Sequence, residues 1–194
     1  MIKNLKKQLP PGDFGVWIIV YIELITFGLL FLGYAFSRRE NVALFNQSQL
    51  LLDQRFGFIN TLLLITSSYF VVRALESIQL IDRKKATALA SKCLLGAMSL
   101  GTLFIIDKII EFTQKAQQGI NLSTNTFFMF YLILTAFHFL HVLLGLIILF
   151  NIQKKAKKGG YTREEYKGME SGAIYWHLVD LLWIVLFPLI YIIR

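Results

Sequence analysis

Charged residues and cysteine are both scarce in this sequence. Only 16% of its 194 residues are charged, and Cys93 is the only cysteine. One cysteine excludes an internal disulfide, and we expect Cys93, which lies in an apolar run, to serve in packing. The remainder is 56% hydrophobic, with a mean hydropathy of +0.58. That composition excludes a water-soluble domain of this size and favours a membrane protein.

Five apolar stretches are long enough to cross a bilayer as helices. They run roughly over residues 14–36, 56–80, 88–111, 126–150 and 172–193. The connections between them, at most about 20 residues, are too short to form another domain. We therefore predict an all-α integral membrane protein, a bundle of five transmembrane helices forming one domain over residues 1–194. The first span is too long for a signal peptide, so we expect it to be retained.

The basic residues are distributed unequally between the two ends of these spans. Thirteen lie at one end and five at the other. The larger set is Lys3, Lys6, Lys7, Arg83, Lys84, Lys85, Lys92, Lys154, Lys155, Lys157, Lys158, Arg163 and Lys167; the smaller is Arg38, Arg39, Arg55, Lys115 and Arg194. The positive-inside rule then predicts a cytoplasmic N-terminus and an outside C-terminus. Because these residues lie in short loops, the net charge of +8 does not indicate a nucleic-acid partner.

Several ionisable side chains lie inside the spans, where each charge facing lipid would cost about 2.5–3.5 kcal/mol. We estimated the depth of each side chain in the membrane by counting residues from the cytoplasmic end of its span. Most of them lie within about 6 Å of the same depth. We interpret them as an intramembrane polar layer made of Glu23, Arg73, His138, His141, His177 and Asp180. Since Glu23 and His141 lie at matching depths, we expect them to come within hydrogen-bonding distance, directly or through one water.

Two pairs of charged residues have local interpretations. Arg73 and Glu76 are three residues apart, so they could equally neutralise each other on one helix. Lys108 and Glu111 form a separate outer-side polar cluster, which we interpret as an anchor at the membrane interface rather than a proton relay. No spacing among the histidines and carboxylates matches a metal signature such as H-E-x-x-H, so we predict no metal site.

Five segments in order along the chain resemble a known family. They read GDFGVWIIVYIELITFGLLFLGY (12–34), GFINTLLLITSSYFV (57–71), DKIIEF (107–112), FFMFYLILTAFHFLHVLLG (127–145) and ESGAIYWHLVDLLWIVLF (170–187). Together they resemble subunit III of the haem-copper (cytochrome c) oxidases. The sequences of several segments are most similar to that of the five-helix accessory subunit associated with bacterial nitric oxide reductase.

The resemblance implies a subunit without redox chemistry of its own. Such a subunit has no haem or copper, binds phospholipid, packs against a haem-copper catalytic subunit and is associated with sustained turnover and proton uptake. Nitric oxide reductase is the partner enzyme that we prefer, and a quinol or cytochrome c oxygen reductase is the alternative. Glu23 is the residue that matches the family's membrane carboxylate, with His138, His141, His177 and Asp180 as its candidate polar neighbours.

Two other functions stay open at this point. His138 or His141 could hold a haem together with His177, which would make the chain a small b-type cytochrome. The polar layer could instead conduct protons or ions.

An accessory subunit must bury a helical face against its partner. We expect this face on the first or third span, with small residues such as Gly28, Gly33, Gly96 and Gly101 at the contact.

Overall fold

Six α-helices make up the part of the chain that the computed structural model describes, residues 10–193, and this part contains no β-strand. They are α1 (Phe14–Glu40), α2 (Val42–Gln49), α3 (Gln54–Ser77), α4 (Arg83–Gln117), α5 (Thr126–Lys157) and α6 (Lys167–Phe187). A π-helical segment, Pro188–Ile192, continues α6. All except α2 are long and apolar enough to span a membrane, so the chain is a multi-pass membrane protein.

The five predicted spans are confirmed, but α4 and α5 extend well beyond their apolar stretches. At the start of α4 the Asp82 carboxylate accepts hydrogen bonds from the backbone N–H groups of Lys84 and Lys85, which lets the helix begin in polar sequence. Helix α2 was not predicted, because its sequence VALFNQSQ is too short to span a membrane. Lys3, Lys6, Lys7 and Arg194, which contribute to the predicted orientation, lie outside the described residues.

Helices α3 to α6 form a closed bundle in which each packs mainly against two others. Helix α3 packs on α4, α4 on α5, α5 on α6, and α6 returns to α3, while α1 lies outside against α5 and α6. Helix α1 is accordingly less buried than the four helices of the bundle. Its buried residues are only Val16, Val20, Phe27 and Tyr34. Helix α1 is therefore a peripheral element with one narrow packed stripe.

Glycines allow close packing inside the bundle around Trp176. A Cβ atom at Gly101 would come within 2.8 Å of the Trp176 ring, and one at Gly145 would meet the same ring at the same distance. The indole is only 1% exposed. Gly101 is thus used within the chain, which corrects its predicted place at a partner interface. Nothing lies within 4 Å of a Cβ at Gly28.

The π-helical segment is held by side chains from three other helices. The last carbonyls of a helix have no intrahelical N–H partners, so those at the end of this segment need other donors. The bonds are Tyr34 Oη to Leu189 O (3.1 Å), Gln49 Nε2 to Ile190 O (2.9 Å), Gln54 Nε2 to Tyr191 O (2.8 Å) and Arg38 to Ile193 O. These bonds explain why the short helix α2, which supplies Gln49, folds against the end of the bundle.

Candidate functional site

The first polar group in the membrane region lies between α1 and α5, and we call it the edge pair. Its members are Glu23 and His141, whose side chains are 18% and 10% exposed. Glu23 Oε2 and His141 Nε2 are 2.9 Å apart, although their angle is not that of a well-aligned hydrogen bond. The predicted approach of these two residues is confirmed in distance.

The second ring nitrogen of His141 constrains the protons of the edge pair. His141 Nδ1 lies 2.7 Å from the carbonyl oxygen of Phe137. A carbonyl only accepts, so Nδ1 carries a proton. Nε2 and the Glu23 carboxyl then need one further proton between them, because two bare acceptors at 2.9 Å would repel. The edge pair is a place where one proton can lie on either of two groups.

His138 lies on the same helix but has a different environment. It is fully buried, and its Nε2 is 3.0 Å from the carbonyl oxygen of Val179 on α6. Its ring packs against Phe104 and Trp183, with centroid distances of 5.6 and 5.1 Å. His138 is therefore part of the aromatic core and does not contact Glu23.

His177 and Asp180 face α3 rather than α1. His177 Nδ1 is 3.2 Å from the hydroxyl oxygen of Ser68, and Asp180 lies beside the same hydroxyl. Of the four candidate neighbours of Glu23, only His141 contacts it.

Arg73 and Glu76 point away from the bundle. Arg73 Nη1 and Glu76 Oε2 are 3.0 Å apart, and the side chains are 51% and 58% exposed. The alternative interpretation, that they pair within one helix, is the one that this geometry supports, and Arg73 stands apart from the other members of the polar layer. The layer consequently divides into separate groups on different faces of the bundle.

A second ionic group lies among α4, α5 and the π-helical segment, and we call it the central network. It consists of Lys108, Glu111, Tyr131 and Tyr191. Lys108 Nζ donates to Glu111 Oε2 at 2.7 Å and to Tyr191 Oη at 3.2 Å. The hydroxyls of Tyr131 and Tyr191 donate to Glu111 Oε1 at 2.8 and 2.6 Å. Both carboxylate oxygens are thus bonded.

The central network is sealed from its surroundings. The side chains of Lys108 and Glu111 are 0% and 2% exposed. The ammonium also lies near four aromatic rings, the nearest being that of Phe112, 4.9 Å from its centroid. The interpretation of Lys108 and Glu111 as an interface anchor is therefore wrong, because neither side chain reaches the surface.

The sequence alone did not identify the two tyrosines of this network. Tyr131 and Tyr191 lie 60 residues apart, in helical segments rich in apolar side chains. A tyrosine buried in a bundle needs a partner for its hydroxyl. That rule could have indicated that both tyrosines bond to a polar group inside the bundle. Asn60 and Asp107, which lie side by side between α3 and α4, also had no predicted role.

The arrangement of the histidines bears on the haem hypothesis. A haem held by two histidines needs imidazoles that face one another across a shared space. Here His138 points to a carbonyl on α6, His141 to a carboxyl on α1 and His177 to a hydroxyl on α3. Within residues 10–193, no group of three His, Cys, Asp or Glu side chains is placed to hold a metal ion. This geometry does not support the cytochrome hypothesis.

Comparisons with known proteins give one consistent family. The sequence model of cytochrome c oxidase subunit III matches residues 13–194. The chain is 29% identical to cytochrome c oxidase subunit 3 of Synechocystis sp., over 92% of this chain and 74% of that protein. It is 28% identical to cytochrome bo(3) ubiquinol oxidase subunit 3 of Buchnera aphidicola, over 92% of this chain and 85% of that protein.

A third relative differs in its length. The chain is 26% identical to heme-copper oxidase subunit I+III of Aeropyrum pernix, over 92% of this chain. The match spans only 22% of that longer protein.

Proposed function

Because the chain belongs to the cytochrome c oxidase subunit III family, we propose that it is a non-catalytic accessory subunit of a terminal haem-copper oxidase. The observation that carries the proposal is the family match over nearly the whole chain. The geometry of the polar groups is compatible with it, since these groups pair with one another and do not converge on a shared reaction space.

The partner in this proposal is a subunit I type haem-copper protein. Support comes from the Aeropyrum relative, whose name combines subunits I and III in one protein. Helix α1 is the side that we propose for docking, because it leaves most of its surface outside the bundle and keeps open space at Gly28. Gly101 on the third span is already covered by Trp176, so that part of the span is a poorer candidate.

The names of the relatives bear on whether the partner enzyme reduces oxygen or nitric oxide. The relatives named above are subunits of cytochrome c or ubiquinol oxidases or of a haem-copper oxidase. They favour an oxygen reductase, the alternative that the resemblance left open, over nitric oxide reductase. Nitric oxide reductase stays a prediction that rests on the amino-acid sequences of the motifs.

We further propose that the subunit has no redox cofactor of its own, binds membrane phospholipid and lies in a bacterial inner membrane with its N-terminus in the cytoplasm. The described basic residues support this orientation, because ten of the sixteen lie at the end of the bundle where α4 begins, α5 ends and α6 begins.

The decisive experiment is purification from the native membrane with an affinity tag on this chain. A co-purifying protein with haem and copper, at equal stoichiometry, is the expected result. Assay of that complex with oxygen and with nitric oxide then separates the two partner enzymes. A stoichiometric Soret band from this chain alone would contradict the accessory function and support a cytochrome. Proton or ion flux from liposomes that contain only this chain would support a conductor instead.

A further inference from the structure

A half-buried carboxylate lies inside the membrane region without a counter-ion. Asp107 belongs to α4 and lies about 6 Å before the end of that helix's apolar stretch. Within the part of the chain that the structure describes, its Oδ2 atom is buried and has no hydrogen-bond partner. No basic nitrogen of residues 10–193 lies within 4 Å of either carboxylate oxygen. A charge inside a membrane span is costly when unpaired and indicates a functional contact.

The neighbouring polar groups do not neutralise Asp107. Lys108 Nζ is already bonded to Glu111 Oε2 at 2.7 Å and to Tyr191 Oη at 3.2 Å, so one negative charge remains unbalanced on this part of α4. Asn60 lies beside Asp107 on α3. Its side chain is 0% exposed, and neither of its amide atoms has a hydrogen-bond partner among residues 10–193. The contact between α3 and α4 therefore holds polar atoms that the described part of the chain leaves unused.

The surface around Asp107 is apolar and open. Leu103 and Ile110 lie one turn before and one turn after Asp107 on the same face of α4, and their side chains are 49% and 44% exposed. Phe56 and Leu63 on α3 are also partly exposed. These side chains can pack against a further apolar helix, and the partly exposed carboxylate fixes where a polar contact with that helix would form.

This surface lies on the side of the bundle away from α1. Asp107 lies where α3 and α4 meet, whereas α1 packs mainly against α5 and α6. In the ring formed by α3, α4, α5 and α6, these two pairs of helices are opposite each other. The surface around Asp107 therefore stays free when a partner docks on α1, and it requires a different occupant.

The charge of Asp107 selects the class of occupant. A lipid acyl chain has no group that pairs with a carboxylate, and a second copy of this chain would bring another Asp107 to the contact, where like charges repel. A membrane-spanning helix with a lysine or arginine at the same depth supplies the counter-charge and covers the apolar side chains. We propose that the contact between α3 and α4 around Asp107 docks such a helix from another subunit. This second docking surface goes beyond the accessory function and does not depend on which protein covers α1.

The test measures the binding of synthetic transmembrane peptides to the full-length chain in nanodiscs of phosphatidylcholine. Two peptides of about 20 residues are compared, both made of leucine and alanine with neutral, capped ends. One has a single lysine about four residues from one end, which matches the depth of Asp107, and the other has leucine at that position. Binding is followed by energy transfer between a fluorophore on the peptide and a fluorophore on a C-terminal tag of the chain.

Two variants with the same loss of charge are compared with the wild type. The test variant is Asp107→Asn, which removes the charge and keeps the shape of the side chain. The control is Asp53→Asn, at the same end of the bundle, where the exposed carboxylate accepts a hydrogen bond from the backbone N–H of Arg55. Asparagine caps a helix as well as aspartate does, so α3 keeps its first turn. Circular dichroism checks that both variants remain folded.

We expect the wild-type chain to bind the lysine peptide at least about tenfold more tightly than the leucine peptide, which corresponds to about 1.4 kcal/mol. The Asp107→Asn variant should bind the lysine peptide no more tightly than the leucine peptide, because the amide leaves the ammonium without a counter-ion. The control should change binding by less than about twofold, since an exposed charge contributes little.

Other outcomes would overturn the inference. Equal binding of the two peptides by the wild type would show that the carboxylate does not select a basic helix. Equal losses in the two variants would show a general attraction between charges, and a preference for lysine that survives Asp107→Asn would place the contact elsewhere. Because no haem-copper subunit takes part in these measurements, each of these results leaves co-purification as a separate test of the accessory function.

Discussion

The edge pair and the central network both join an acidic to a basic side chain, but their surroundings differ. Glu23 and His141 lie on a peripheral helix and its neighbour, and each keeps some exposure. Lys108 and Glu111 are enclosed, and two tyrosine hydroxyls complete the bonding of the carboxylate. A lysine ammonium inside a bundle requires such complete pairing, whereas a proton shared by a carboxyl and an imidazole can leave both groups neutral.

The comparison separates a structural from an adjustable role. Removing one charge from the central network leaves the other buried and unpaired, so this network should control stability. In the edge pair the shared proton can pass from one group to the other and leave both neutral, so replacing Glu23 should affect activity more than folding. The predictions below test that difference from the largest expected effect to the smallest.

The largest effect is expected for Glu111→Gln. The substitution keeps the shape of the side chain but leaves the Lys108 ammonium buried without a counter-ion. Breaking a buried pair in this way costs about 3–5 kcal/mol. The measurement is thermal or denaturant unfolding in detergent, followed by the helical signal.

The matched control is the double variant Lys108→Met with Glu111→Gln. It removes both charges, while the glutamine can still accept bonds from the hydroxyls of Tyr131 and Tyr191. We expect most of the lost stability to return, as happens when a buried ion pair is replaced as a unit. If the double variant is as unstable as the single one, the unpaired charge is not the cause.

A smaller loss is expected for Tyr191→Phe. This change removes the hydroxyl that donates to Glu111 and accepts from Lys108, and a hydrogen bond to a charged group contributes about 1.5–3 kcal/mol. The same unfolding measurement checks it. Tyr69→Phe on α3 is the control, because that ring is 59% exposed, and surface changes of this kind stay within about 0.5 kcal/mol. Equal effects of the two changes would argue against the network.

Glycine substitutions extend the comparison from side-chain charge to packing. Gly101→Ala places a methyl group 2.8 Å from the Trp176 ring, and such overpacking costs about 1–3 kcal/mol. Gly28→Ala meets nothing within 4 Å, so the isolated chain should keep its stability.

If α1 docks the partner, Gly28→Leu should weaken co-purification of the partner subunit while the chain itself remains folded. Unchanged co-purification would move the docking surface elsewhere.

Much of this architecture could be predicted from the sequence because a bilayer imposes long apolar helices. The five spans and the approach of Glu23 to His141 followed from hydropathy and from antiparallel counting. Depth alone does not determine which way a side chain faces, and for this reason Arg73 was grouped with residues that lie on other faces of the bundle. The sequence could not join Tyr191 to Lys108 and Glu111, because Tyr191 lies in a π-helical segment after Pro188, where ordinary helical periodicity no longer applies.

The smallest effect on stability is expected for Glu23→Gln. The amide retains the shape of the carboxyl and can still contact His141 Nε2, and no fixed charge is left behind. We expect the free energy of unfolding to change by less than about 1 kcal/mol, within the range of most single substitutions. In the assembled enzyme the haem spectrum should be unchanged, because Glu23 lies 2.9 Å from a histidine of its own chain and is not predicted to bind a metal. Turnover should fall modestly, since the amide cannot exchange a proton with His141 and, in the proposed complex, catalysis lies in the partner subunit. Loss of a haem or copper at unchanged subunit stoichiometry would show instead that this chain supplies a ligand, and that the edge pair belongs to a cofactor site.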